Sequence, residues 1–137
     1  MKISQKLEYA CRALAQLTKA YDSKTLTRLD QLAQREAISA NFLVQILNDL
    51  RRAGIIDSRR GAHGGYLLSR PADGITLRQI VNAVEPSQLQ NTALTEGESG
   101  PAVRYAWETV SAKLAADLDK ITLSNLASSP SDPMFYI

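Results

Sequence analysis

Residues 55–68 read Ile55-Ile56-Asp57-Ser58-Arg59-Arg60-Gly61-Ala62-His63-Gly64-Gly65-Tyr66-Leu67-Leu68, and the fold turns on this stretch. Ile55-Ile56-Asp57-Ser58 and Tyr66-Leu67-Leu68 are short strand candidates. Between them stand two arginines, one histidine and three glycines, a composition that suits a tight, exposed turn. The product is a β-hairpin with a basic tip.

Working towards the N-terminus, Ser39 is placed to cap a helix that carries Phe42, Leu43, Ile46, Leu47 and Leu50 and ends at Ala53-Gly54. Before it, Thr27 is placed to cap a shorter helix with Leu29, Leu32 and Ala33 facing inward, stopping near Ala37. The first segment, about residues 3–21, has Ile3, Leu7, Ala10, Cys11, Leu14 and Leu17 at the spacing of one helix face.

Working towards the C-terminus, Pro71 and Gly74 break the chain, Thr76 caps a helix bearing Leu77, Ile80, Val81 and Val84, and Pro86 stops it. Residues 87–100 are polar and read as a loop. Pro101 suits the first turn of a long helix, in which Val103, Trp107, Val110, Leu114, Leu118 and Ile121 recur at intervals of three or four. A short helix after Thr122 and a tail over 128–137 complete the chain, the tail read as mobile from Ser128 to Pro133, with Met134-Phe135-Tyr136-Ile137 apolar enough to dock. The expected division is 1–85 as a DNA-binding domain, 86–100 as a loop, and 101–127 as a dimerisation helix with its short successor.

The order helix, helix, turn, helix, hairpin is that of a winged helix-turn-helix, giving a mainly α fold class with a small β wing and a long C-terminal helix. In such a domain the third helix enters the major groove of double-stranded DNA by its first turn. That helix offers Ser39, Asn41, Val44, Gln45 and Asn48. Asn and Gln can bond adenine bidentately, and Val44 can pack against a thymine methyl. Arg51, Arg52, Arg59 and Arg60 suit phosphates, and the wing arginines also suit a narrow minor groove. Gly64 and Gly65 let the turn close and approach DNA. His63 reads as a polar turn residue or a phosphate donor. Charge is distributed accordingly. Through Glu85 there are 13 Lys+Arg against 8 Asp+Glu, and from Pro86 onward 3 against 6, although the whole chain of 137 residues carries only +2.

The segments Lys6-Leu7-Glu8-Tyr9-Ala10, Ile38-Ser39-Ala40-Asn41-Phe42-Leu43, Arg60-Gly61-Ala62-His63-Gly64-Gly65-Tyr66-Leu67-Leu68 and Ile75-Thr76-Leu77-Arg78-Gln79-Ile80-Val81, with Trp107 and Ile121-Thr122-Leu123, resemble the Rrf-two (IscR-like) family of bacterial transcription regulators. The Arg-Gly-x-x-Gly-Gly-Tyr wing is the most distinctive piece, and the resemblance runs to about Ala127. It implies a homodimer joined by the long helix and acting on a two-fold operator. It also implies DNA contacts from Lys6, Tyr9, Ser39, Asn41, Phe42, Gln45, Arg60 and Gly64.

Many members of that family carry three cysteines before the long helix and bind an iron–sulfur cluster there. Residues 87–104 contain no Cys and no His, and the chain holds one of each, Cys11 and His63. A cluster needs about four thiolate or imidazole ligands. The expected cofactor is therefore none and the metal ligands none, and any effector, a small molecule or a protein, is unknown. Cys11 shares a face with Leu7 and Leu14 and reads as packing rather than as a redox thiol, with an inter-chain disulfide as the alternative. Trp107 reads as interface rather than ligand site, by its place in the stripe.

No arrangement suggests catalysis, so the protein is read as not an enzyme. A single cysteine, no apolar run of membrane-spanning length and no apolar leader point to the cytoplasm. The functional expectation is a sequence-specific DNA-binding regulator, read as a repressor. The alternative is a winged-helix module that binds another protein.

Overall fold

The computed structural model describes residues 2–90 and 94–128. Six α-helices and one hairpin follow in the order α1 (Gln5–Tyr21), α2 (Leu29–Glu36), α3 (Ala40–Arg52), β1 (Ile56–Arg59), β2 (Gly65–Leu68), α4 (Leu77–Val84), α5 (Gly100–Lys120) and α6 (Leu123–Leu126). The fold is the mainly helical winged helix-turn-helix with a long C-terminal helix. The tail beyond 128 lies outside the described residues.

Local chemistry accounts for most boundaries. The Ser4 hydroxyl accepts from the Leu7 N–H at the start of α1 (3.1 Å). At α4, the Thr76 hydroxyl accepts from the Gln79 N–H, and the Gln79 side chain accepts from the Thr76 N–H, a reciprocal capping box. Proline at the start of α5 is accommodated because that position needs no N–H.

Contrary to its expected role, Thr27 does not cap α2. It is buried, and its backbone exchanges two hydrogen bonds with Tyr66 of β2 (2.8 and 2.9 Å). Arg28 takes the N-cap position instead, its N–H donating to the Gln31 side chain. Ser39 stands at the N-cap of α3, but its side chain makes no capping bond. The hairpin lies one residue from its expected bounds, pairing Ile56 with Leu68 and Arg59 with Gly65. Residues 86–89, expected as loop, form a turn of 3₁₀-helix, since Pro86 fixes a helical φ while denying α4 its next donor.

The core is one cluster. From α1 come Leu7, Ala10, Ala13, Leu14 and Leu17; from α3, Leu43, Ile46, Leu47 and Leu50; from α4, Ile80, Val81 and Val84. Ile3, expected on the inner face of α1, is 49% exposed because the helix begins after it. Leu123 of α6 is wholly buried in the same cluster, so a residue from beyond α5 completes the core of the first 85. Backbone bonds from Leu77 to Ile121 and from Leu123 to Ile75 hold that return in place.

A candidate nucleic-acid interface

Between the C-terminal half of α3 and the hairpin lies an open cleft of about 360 Å³. Asn48 and Arg51 line it from α3, Ser58, Arg59, Arg60, Gly61, Gly64 and Gly65 from the hairpin, and Arg28 from the start of α2. Four guanidinium groups therefore border one depression, an arrangement that concentrates positive potential where a chain of phosphates fits.

The hairpin is held against α2 by close backbone approach. A Cβ on Gly65, whose φ is +151°, would stand 2.8 Å from the Thr27 carbonyl oxygen. One on Gly64 would overlap the Arg59 carbonyl oxygen at 2.2 Å. These two glycines are required by contact between backbones. Arg28 adds a long bond from its guanidinium to the Ala62 carbonyl oxygen (3.4 Å) and pairs with Asp30 (3.5 Å). Sequence reading missed Arg28. Its partners lie two residues away and 34 residues away, and only the latter marks it as part of the wing.

The other expected contact residues extend from the cleft. Ser39, Asn41 and Gln45 are exposed along α3, and Phe42 and Val44 are half-buried. Phe42 meets the Tyr9 ring edge-on (5.7 Å between centroids, 76° between planes), and Gln5 donates to the Tyr9 hydroxyl. The Arg12 guanidinium stands 5.7 Å from the Tyr9 ring centre. Lys6 is engaged within the chain, its ammonium 2.6 Å from an Asp49 carboxylate oxygen, while Arg52 approaches the other oxygen at 3.4 Å. His63 is exposed at the tip of the hairpin.

On α5 the expected stripe divides. Val103, Trp107 and Val110 are 53%, 64% and 56% exposed. Leu114 and Ile121 are half-buried, and Leu118 packs against the core of its own chain. Tyr105 is 72% exposed and stands outside the expected stripe.

Cys11 is half-buried against the core. Burial, assisted by the nearby Glu8 carboxylate, pushes its thiol up to about 11, the opposite of what a reactive thiolate needs. No described helix is long and apolar enough to cross a membrane.

Several characterised proteins are similar over nearly the whole chain. The HTH-type transcriptional regulator CymR of Bacillus subtilis is 35% identical, with 100% of each chain covered. The HTH-type transcriptional regulator IscR of Cereibacter sphaeroides is 35% identical over 92% of this chain and 86% of its own. The solved structure of CymR, described as the global cysteine regulator of B. subtilis, superposes with a TM-score of 0.79 at 34% identity, covering 93% of this chain and 96% of that one. These relatives are transcription regulators and not enzymes.

The family model "Rrf2: Iron-dependent Transcriptional regulator" matches residues 3–129. The donor set here does not fit an iron–sulfur cluster. The sequence has one thiol and one imidazole, on α1 and at the hairpin tip, and the thiol is held protonated. Among the described residues no group of three or more His, Cys, Asp and Glu side chains converges as metal ligands would. The chain thus belongs to the Rrf2 family of transcriptional regulators, as a member that lacks the cluster cysteines.

Proposed function

We propose that the protein is a sequence-specific repressor that binds double-stranded DNA as a homodimer on a two-fold operator. The observation that carries this reading is the four-arginine cleft between α3 and the hairpin, continuous with the polar face of α3. Residues 1–85, completed by α6, are the DNA-binding unit, and α5 is the dimerisation element.

In this reading Asn41, Val44, Gln45 and Asn48 meet base edges from the major groove. Arg51, Arg59 and Arg60 neutralise phosphates beside the cleft, and the hairpin lies on the backbone or in the adjacent minor groove. Tyr9 supports the first turn of α3 through Phe42 rather than acting alone. Val103, Trp107 and Val110 meet their counterparts in a second chain. A DNA partner places the protein in the cytoplasm.

Titration of operator and of unrelated duplex at several salt concentrations tests the assignment. Arg60→Ala should weaken binding to both duplexes together and flatten the salt slope by about one unit. If affinity and slope are both unchanged, the hairpin does not touch DNA. A parent protein that binds no duplex in a salt-dependent way points to a protein-binding module instead.

A further inference from the structure

The cations around the candidate interface differ in their partners: Arg28 at the cleft pairs with Asp30, and Arg12 beside Tyr9 pairs with Glu8. Arg51, Arg59 and Arg60 border the cleft, and none of them forms an ion pair among the described residues. Lys6 and Arg52 are different, because both close on the carboxylate of Asp49.

Asp49 is the one acidic residue between Ser39 and Arg52. It lies in the last turn of α3, where the partial negative charge of the helix end disfavours an anion. The helix itself therefore gives no reason for an aspartate there, whereas two cations do. The Asp49 side chain is 25% exposed and that of Arg52 73%, so the anion is the covered partner and the cation reaches outward. Gln45 and Asn48 precede Asp49 by four and one residues, which puts the carboxylate at the margin of the polar face of α3.

We propose that Asp49 limits the strength of phosphate binding at this face: its one carboxylate is shared by Lys6 and Arg52, so the two cations together offer DNA one net positive charge instead of two. The inference rests on the DNA-binding reading above. Phosphate neutralisation supplies an affinity common to all sequences, through release of the counterions condensed on DNA. A cation paired with a carboxylate adds less to it, since an approaching phosphate brings a second anion to the same group, and Asp49 in this way offsets one of the two charges of Lys6 and Arg52. Base-edge hydrogen bonds from Asn41, Gln45 and Asn48 do not depend on this offset. Asp49 therefore lowers affinity for every sequence by a similar factor, and leaves discrimination to the base-edge contacts.

The test compares the full parent chain with Asp49→Asn on two probes, a random-sequence duplex and a duplex that the parent selects from a random pool, at several salt concentrations. Asp49→Asn should bind the random duplex up to roughly tenfold tighter near 100 mM salt, with a slope steeper by roughly one unit. The selected duplex should be bound more tightly by a similar factor. Adding Lys6→Met and Arg52→Met should abolish the gain. Weaker or unchanged random-duplex binding by folded Asp49→Asn, or a gain that survives loss of both cations, overturns the proposal and leaves Asp49 as a tether between α1 and α3. If Asp49→Asn does not fold, the double variant Lys6→Met/Arg52→Met in the parent decides. A drop in random-duplex slope of no more than about one unit supports the proposal, and a drop of about two units overturns it. A parent that binds neither duplex overturns the DNA-binding reading itself, a result distinct from failure of Asp49 alone.

Discussion

Helices α3 and α5 both carry apolar side chains at helical spacing, and they end in opposite states. In α3, Leu43, Ile46, Leu47 and Leu50 are wholly covered. In α5 no residue over 21 is buried. The difference lies in what the chain provides around each helix. Helices α1, α2 and α4, the last returning after the hairpin, pack onto α3, so its apolar face is covered from within and its polar face is left outward. The ties of α5 to the body lie at its C-terminal end, where Leu118 reaches the core and Arg78 pairs with Asp119 (2.8 Å). Val103, Trp107 and Val110 lie ahead of those ties and stay open. Apolar periodicity thus identifies a face that wants covering, and only the topology says whether the same chain covers it.

The largest expected effect breaks the comparison on the α5 side. Trp107→Asp sets a charge in the open apolar stripe and should abolish pairing of chains, while the core around α3 stays intact. Losing the second half-site should weaken operator binding by roughly 10²–10⁴-fold. Sedimentation with operator titration checks both halves of this expectation. A parent that is monomeric at micromolar concentration shows instead that α5 is not a pairing surface.

On the α3 side the expected loss is in stability. Leu47→Ala leaves a cavity in the closed core and should cost about 2–5 kcal/mol, read by denaturant unfolding. An equivalent truncation, Val103→Ala, should change monomer stability by less than about 0.5 kcal/mol. Similar losses at the two sites would mean that α5 is as enclosed as α3.

The outer face of α3 is sharpened by Val44→Glu. A carboxylate there can accept from a cytosine amino group, where valine packs on a thymine methyl, so preference should shift at one base pair per half-site by about 1–3 kcal/mol. Selection of binding sites from a random pool reads this out. An unchanged motif with folding intact places Val44 outside the base-reading surface.

The smallest effect concerns Cys11, on the inner side of α1. Its thiol is raised to about 11 by burial, so at pH 8 about one molecule in a thousand carries thiolate. Alkylation of the folded protein should be slow and should accelerate on unfolding. The raised value also fixes the direction of the pH dependence. Stability from this group is fully present below the unfolded value near 9 and is lost as pH climbs through 11. Cys11→Ser should retain DNA binding in oxidising and reducing conditions. Rapid labelling of the native state at pH 7 would make the thiol accessible after all.

Most of the fold was legible because its signals are local. The Thr76–Gln79 capping box, the glycine-rich hairpin tip and the proline at the start of α5 each act over three or four residues. Thr27 misled because the same residue type that caps a helix can also be drawn into a bridge, and its partner Tyr66 lies 39 positions away in the sequence. Arg28, the Lys6–Asp49 pair and the return of Leu123 to the core are likewise long-range facts. Within the candidate interface, residue type and helix phase identified the polar face of α3 and the wing arginines. The Arg52–Asp49 pair, three residues apart on α3, follows helix phase, whereas the engagement of Lys6 depended on the packing of α1 across α3, which helix phase does not encode.

The two backbone bonds between Thr27 and Tyr66 have a consequence for motion. They splice the segment entering α2 onto the free edge of β2, so the hairpin is a third member of the helix-turn-helix rather than a flap beside it. The amides of Thr27 and Tyr66 should exchange hydrogen together, in one opening event that also releases Gly65 from the Thr27 carbonyl. A disturbance at the hairpin tip then travels to the base of α2 as rotation of a single stiff arm, with no joint between them to absorb it.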